Sequence, residues 1–322
     1  MPDLNVGGQA VIEGVMMRAE NRVATAVRVP DGQIMVKTEE HIPLSKRIKP
    51  LGLPILRGAV AFVEMLILGI RTLNFSADVA MKEQEKLEAA EKGEDYSEKP
   101  KKSNNLALGL TVTIALAFGI FVFFFLPLAI SNLLGIDRSA VGFNIVAGAI
   151  RLTFFLVYVW AISFFGEFQR IFQYHGAEHK SIYAYEMGEE LTPETAERYT
   201  RFHPRCGTSF ILIVALFAMM TYAVSDTIYA IVVGHAPELL TRFALHFTLL
   251  PLVAGGSYEL LKLSGKTRDN AVTKVLIQPG LWLQRITTKE PSRDQLEVGI
   301  VALEAALGVT ESKIAARKIA AS

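Results

Sequence analysis

The sequence predicts a mainly α-helical membrane protein. It should have four transmembrane helices with an amphipathic or re-entrant helix, a small N-terminal β-rich cytosolic part and a C-terminal cytosolic helix. Three observations carry this. Apolar residues make up 51% of the 322-residue chain and charged residues only 20%, against about 25% charged in an ordinary soluble domain. The apolar excess gathers in long uncharged runs. Lys and Arg collect in alternate connecting segments, as they do on the cytosolic side of a bilayer. A plain soluble enzyme is thereby excluded. Aromatics at 9% and the lack of a glycine period exclude disorder and collagen-like sequence. A net charge of +1, from 33 basic and 32 acidic residues, gives no basic stripe, so no nucleic-acid partner is expected. The single cysteine, Cys206, permits no intrachain disulfide. No secretory signal is expected, because the first apolar run starts near Leu51 and the N-terminus lacks a basic n-region.

Each element follows from local pattern. Residues 1–50 form the N-terminal segment, where VRVPDGQIMVK places a Pro-Asp-Gly turn between two β-prone runs and predicts a hairpin. Residues 51–77 are apolar but carry Arg57, Glu64 and Arg71 seven apart, which puts all three on one helix face. That pattern predicts an amphipathic or re-entrant helix at the membrane surface, with a fifth span as the alternative. Residues 78–105 read as a charged, solvated linker. Residues 106–261 hold the four spans. The first lies in the uncharged run 103–136, where about 20 apolar residues suffice for a crossing. The second covers 141–165 with Arg151 inside, and the third covers 207–225 with Asp226 just beyond. The fourth covers 242–261 and carries His246. Loop 166–206 holds Arg170, Lys180, Arg198, Arg201 and Arg205, and the tail continues with Lys262, Lys266, Arg268 and Lys274. The loop after the first span has only Arg138. This bias predicts a multi-pass cell-membrane protein with both termini in the cytosol. In the C-terminal segment 262–322, Ser292 and Gln295 form a capping box before LEVGIVALEAAL, and Gly308 stops that helix.

The chemistry concentrates in the loop 166–206. Three of six histidines and the only cysteine fall between positions 175 and 206. His175, Glu178 and His179 form H-x-x-E-H, so on a helix both imidazoles share a face and Glu178 stands beside them. His203 and Cys206 lie three apart, a spacing that suits zinc or a similar divalent metal. Closure of all four on one ion gives a structural site. If three bind, a position stays open for water and Glu178 becomes the candidate general base. Glu186 is a spare carboxylate ligand on the same face. The plainer reading has each histidine bonding backbone or lipid phosphate and the cysteine filling space as a small hydrophobe. Arg205, Arg201 and Lys180 suit an anionic lipid headgroup, though cytosolic charge bias explains them equally well. Arg151 and His246 are candidates because ionisable groups inside a membrane are rarely idle, and Arg151 could pair with Asp226.

With GGQAVIEGVMMR at 7–18, YHGAEHK at 174–180, HPRCGTSF at 203–210 and PGLWLQRITTKEPSRDQLEV at 279–298, the chain resembles the bacterial YqhQ family. The resemblance spans essentially the whole chain. It implies a multipass membrane protein, sometimes described as a predicted metal-dependent enzyme, and brings no substrate. The matching positions are Gly7, Gly8, Glu13, Gly14 and Arg18, then His175, Glu178, His179, His203, Arg205 and Cys206. One reading folds the N-terminal segment over the metal loop and has it contribute Glu13; the other is a hairpin with turn glycines.

The expected function is a cytosol-facing, metal-dependent, hydrolase-like enzyme acting on a lipid or lipid-linked substrate in the bilayer. The alternative is a non-enzymatic membrane scaffold or assembly factor with a structural metal site, recruiting a protein partner through its cytosolic termini. A transporter is least favoured, since the spans show no inverted repeat. The sequence sets no oligomeric state.

Overall fold

A computed structural model describes residues 6–92, 105–136, 140–204, 206–266 and 270–309. Four expectations therefore lie outside the described residues: the linker at 93–104, Arg138, Arg205 with Arg268, and the tail beyond residue 309.

Strands β1 (Val6–Val11), β2 (Gly14–Ala19), β3 (Arg22–Arg28) and β4 (Ile34–Glu40) form an antiparallel meander in chain order. Two-residue turns join β1 to β2 and β2 to β3, with Glu13 at φ +53° and Glu20 at φ +45° in the left-handed region such turns require. The expected Pro-Asp-Gly hairpin joins β3 to β4, with Gly32 at φ +86° and Asp31 Oδ1 accepting the Gln33 N–H.

After α1 (Leu44–Arg47) comes α2 (Leu56–Lys92). This single helix replaces the expected short helix at 51–77 and the first part of the expected linker. No Gly or Pro interrupts residues 70–92, and Lys86 pairs with Glu83 at 2.6 Å along the helix, so the charged stretch stays helical. Arg57 forms a two-pronged ion pair with Glu259, while Phe62, Val63, Leu66 and Ile67 remain exposed.

An apolar bundle follows. It begins with α3 (Asn105–Ile120), a π-turn at Phe121–Phe125, and α4 (Leu126–Leu133). Next are α5 (Ala140–Ile162), α6 (Gly166–Glu186) and α7 (Pro193–Glu197), then α8 (Gly207–Val233), α9 (Leu239–Thr248), α10 (Leu250–Lys266) and α11 (Ala271–Thr287). Among the described residues, three helical stretches are long and apolar enough to cross a membrane: Thr113–Leu133, Val141–Ile162 and Ile213–Val233. The third does not stop at Asp226 but continues seven residues past it, from 226 to 233. The single fourth span expected at 242–261 is instead the pair α9 and α10, bent by 49°. Pro251 sits at the start of α10 and has no N–H to continue the α9 ladder.

Asp226 and Arg151, charged groups inside this bundle, meet partners from neighbouring elements. Asp226 accepts from Asn144 Nδ2 at 2.8 Å and His246 Nε2 at 2.9 Å, and lies 2.9 Å from Arg242 Nε. Tyr222 stacks on His246 with ring centroids 4.1 Å apart. Arg151 does not pair with Asp226. Its Nε donates to the Phe123 carbonyl at 3.0 Å, the carbonyl that Pro127, four residues on, cannot satisfy. Its guanidinium then lies over the Phe124 and Tyr222 rings, at 5.0 and 5.8 Å.

Helix α12 (Arg293–Leu307) has both halves of the expected capping box, Ser292 with Gln295, and ends at Gly308 with φ +87°. It packs on the sheet. Val15, Met17, Ala19, Ala24 and Ala26 of β2 and β3 meet Val298, Val301, Ala302 and Leu303 of α12 and Tyr174 and Ile182 of α6. The alternate residues Met16, Val23 and Val27 face Leu68 and Val79 of α2. Side chains on a strand alternate between faces, and here both faces are apolar, so the sheet needs helices on both sides. The N-terminal sheet and α12 therefore form one body.

Replacing Asp226 by Asn removes the carboxylate that neutralises fully buried Arg242. Breaking a buried pair in this way costs about 3–5 kcal/mol, so the variant should unfold at a clearly lower temperature in detergent, measured by differential scanning fluorimetry.

Candidate metal centre

Helix α6 lies beneath β1, and between them is a cavity of about 400 Å³ lined by Gly8, His175, Glu178, His179, His203 and Cys206, among others. The one-turn spacing on α6 puts His175, Glu178 and His179 on the inner surface, and Cys206 enters just before α8 begins. Close contact holds α6 in place. A Cβ on Gly176 would lie 2.1 Å from the Lys289 carbonyl oxygen, and the Lys289 N–H bonds the Phe172 carbonyl at 2.8 Å.

Both histidines of the helix are fixed in one tautomer. His175 Nδ1 donates to the Thr287 carbonyl at 2.8 Å, and His179 Nδ1 donates to the Arg201 carbonyl at 2.5 Å. Carbonyl oxygens only accept, so each Nδ1 carries the proton and each Nε2 keeps its lone pair. Backbone tethers of this kind orient metal-ligating imidazoles. His175 Nε2 lies 3.2 Å from Cys206 Sγ, and one donor atom from each of His175, His179 and Cys206 falls within 4.8 Å of the others. His179 is 1% exposed, and its ring interacts with the Cys206 thiol. Burial, with His175 beside it, lowers the pKa of His179 and favours the neutral ring that metals bind.

Glu178 is buried next to this trio. Desolvation raises its pKa, while His175, His203 and the Gly8 backbone amide pull in the opposite direction. The strand passes so close that a Cβ on Gly8 would lie 2.6 Å from the Met16 carbonyl oxygen and 2.9 Å from Glu178 Cγ. Only glycine lets β1 reach the carboxylate.

His203 lines the cavity but does not join the trio. Its Nε2 lies 3.4 Å from Glu186 Oε1, so the two remaining ligand candidates face each other. Gln284 clamps its backbone, accepting the His203 N–H and donating to the His203 carbonyl, both at 2.8 Å. The N-terminal segment does fold over α6, yet Glu13 stays outside the cavity. Its carboxylate takes a two-pronged bond from Arg170 and one from Tyr174 OH at 3.3 Å, anchoring the sheet to α6. Lys180 is buried and pairs with Glu290 at 2.7 Å, with Arg201 at 3.8 Å from the same residue. Sequence reasoning missed Gln284, Gly8 as a partner of Glu178, and the Thr287 and Arg201 carbonyls. A buried amide in the α11 stretch LWLQRIT was the one available signal.

These features define a class: a bundle of apolar helices joined to a helix-clad antiparallel sheet, with a His-His-Cys cluster where they meet. The chain belongs to the family described as "Protein of unknown function (DUF1385)", whose model matches residues 53–309. It is 35% identical over 301 residues to "Uncharacterized protein YqhQ" of Bacillus subtilis (strain 168), covering 91% of this chain and 89% of that one. No solved structure matches.

Changing Gln284 to Leu strands the buried N–H and carbonyl of His203. Each lost partner costs about 1–3 kcal/mol, so thermal unfolding in detergent should show a marked loss of stability.

Proposed function

We propose that the chain is a membrane-embedded, cytosol-facing metal-dependent enzyme of hydrolytic type, acting on a lipid or lipid-linked substrate. The observation that carries this is the convergence of His175, His179 and Cys206, with both Nδ1 atoms tethered so that each Nε2 keeps its lone pair. Two imidazoles and a thiolate suit zinc, and the ion would supply Lewis acidity there. Glu178, in the same cavity, takes the proton from an attacking water as general base. The Gly8 amide positions its carboxylate. A scaffold with a structural metal would need a fourth donor. The pairing of His203 with Glu186 argues for an open three-donor site instead.

Packing supports four crossings. The sheet, α6 and α12 form one body and so lie on one side of the membrane. The spans Thr113–Leu133 and Val141–Ile162 separate the sheet from α6. Between α6 and α12 the span Ile213–Val233 needs a returning partner, and the bent pair α9–α10 provides it. Helix α2 lies along the sheet and does not cross; its exposed apolar side chains rest at the bilayer surface. The Lys and Arg bias then puts this body in the cytosol.

Inductively coupled plasma mass spectrometry on detergent-purified protein tests the reading. Wild type should carry about one equivalent of zinc or another divalent metal, and His179→Ala should lose it. Glu178→Gln should retain metal while failing to complement a deletion strain. A wild type that stays metal-free after reconstitution removes the metalloenzyme, and full complementation by Glu178→Gln removes the general base.

A further inference from the structure

A second cavity, of about 670 Å³, lies against the same strand. Gly7 and Gly8 line both cavities, so β1 is the partition between them. The second is polar. Its wall carries two cations, Arg18 and Lys46, two carboxylates, Glu20 and Glu64, and the polar side chains of Asn21 and Tyr258.

Arg18 is the unusual member. It is partly buried, and desolvation lowers its pKa, yet its one hydrogen bond is from Nη1 to the Met65 sulfur at 3.0 Å. A thioether is a weak acceptor. Among the described residues no carboxylate comes within ion-pair distance of Arg18; Glu64 and Tyr258 act on it only from further away. Desolvated cations normally find a counter-charge. Lys46 is held only by Asn21 Oδ1 at 3.3 Å, and Glu64 accepts the Leu44 N–H at 2.8 Å through one oxygen. The turn of α2 that contributes Ala61, Glu64 and Met65 to the wall also exposes Phe62, Val63 and Leu66. The cavity thus sits beside an exposed apolar surface of α2.

We propose that this cavity binds a zwitterionic group in which a phosphate is joined to a primary ammonium. The phosphate meets Arg18 and Lys46, and the ammonium meets Glu20 and Glu64. The charge balance decides against simpler ligands. A lone phosphate would face two carboxylates, and a lone amine would face two cations. Quaternary ammonium groups are recognised by aromatic cages, and Tyr258 is the one aromatic among the described lining residues. The carboxylates instead offer hydrogen-bond acceptors to an N–H donor. The headgroup of phosphatidylethanolamine and free phosphoethanolamine share this chemistry. The site stands independently of the metal centre.

The test uses full-length protein in detergent, with retained lipid counted by native mass spectrometry and soluble probes followed by thermal shift. Wild type should retain phosphatidylethanolamine over phosphatidylcholine by about tenfold, the equivalent of 1.4 kcal/mol. Arg18→Gln should abolish the preference. Lys46→Gln, at an exposed position, should weaken it without risk to the fold, and Glu64→Gln should erase discrimination between the two headgroups while lipid still binds. If free phosphoethanolamine stabilises the protein as selectively as the lipid is retained, the natural ligand is soluble; retention of the lipid alone identifies a headgroup site. Equal retention of both lipids, an equal response to inorganic phosphate, or an unchanged preference in both Arg18→Gln and Lys46→Gln overturns the proposal.

Discussion

The whole arrangement depends on a sheet with two apolar faces. Four short strands cannot stand alone in water when Met16, Val23 and Val27 point one way and Val15, Met17 and Ala26 the other. The chain covers the first face with α2, the element that follows the sheet. It covers the second with α6 and with α12, from near the opposite end. Everything between must therefore leave this body and return to it. Glu13 with Arg170, and Arg28 with Glu297 at 2.5 Å, tie the sheet to α6 and α12 at its margins. Cys206 and the end of α11 at Thr287 are brought to α6 by the same closure.

Inside the apolar bundle a second constraint operates, because a polar group buried there needs a partner within the protein. The π-turn at Phe121–Phe125 and Pro127 leave a carbonyl without its helical donor, and Arg151 supplies one from α5. Asp226 is tolerated within α8 because α5 contributes Asn144 and α9 contributes Arg242 and His246 to one carboxylate. The break at Pro251 separates the turn that carries Arg242 and His246 from α10, which runs along α2.

Much of this was legible in the sequence wherever one local rule decided the outcome. The Pro-Asp-Gly hairpin, the Ser292–Gln295 cap, the stop at Gly308 and three of the apolar spans each depend on neighbours within a few residues. The H-x-x-E-H spacing put three side chains on one face for the same reason. What was not legible depended on partners far along the chain. Charge patterning suggested a solvated linker after residue 77, but helix propensity without a breaker carried α2 to Lys92. Asp226 read as a span boundary because a lone acid looks expelled from an apolar helix, and only the bundle shows three donors waiting for it. Four ligand candidates were equivalent in the sequence. The Gln284 clamp on the His203 backbone, from another helix, is what sets His203 apart from the other three.

That separation bears on chemistry. A closed four-ligand site and an open one use the same residues, and they differ only in where the fourth imidazole faces. His203 is backed by Tyr183, with ring centroids 4.5 Å apart, and directed at Glu186. To reach the trio it would have to leave both, while Gln284 holds its backbone from two sides. Glu178 lies in the same cavity, and the amide that holds it belongs to β1. The strand that closes the cavity is therefore also the element that orients the carboxylate in it, and its two glycines are shared with the Arg18 cavity next door. A shift of β1 by one residue would take Gly8 out of its contact with Glu178 and Gly7 out of its place opposite Arg18 of β2. The register that pairs Gly8 with Met17 and Gly7 with Arg18 thus couples the geometry of both cavities.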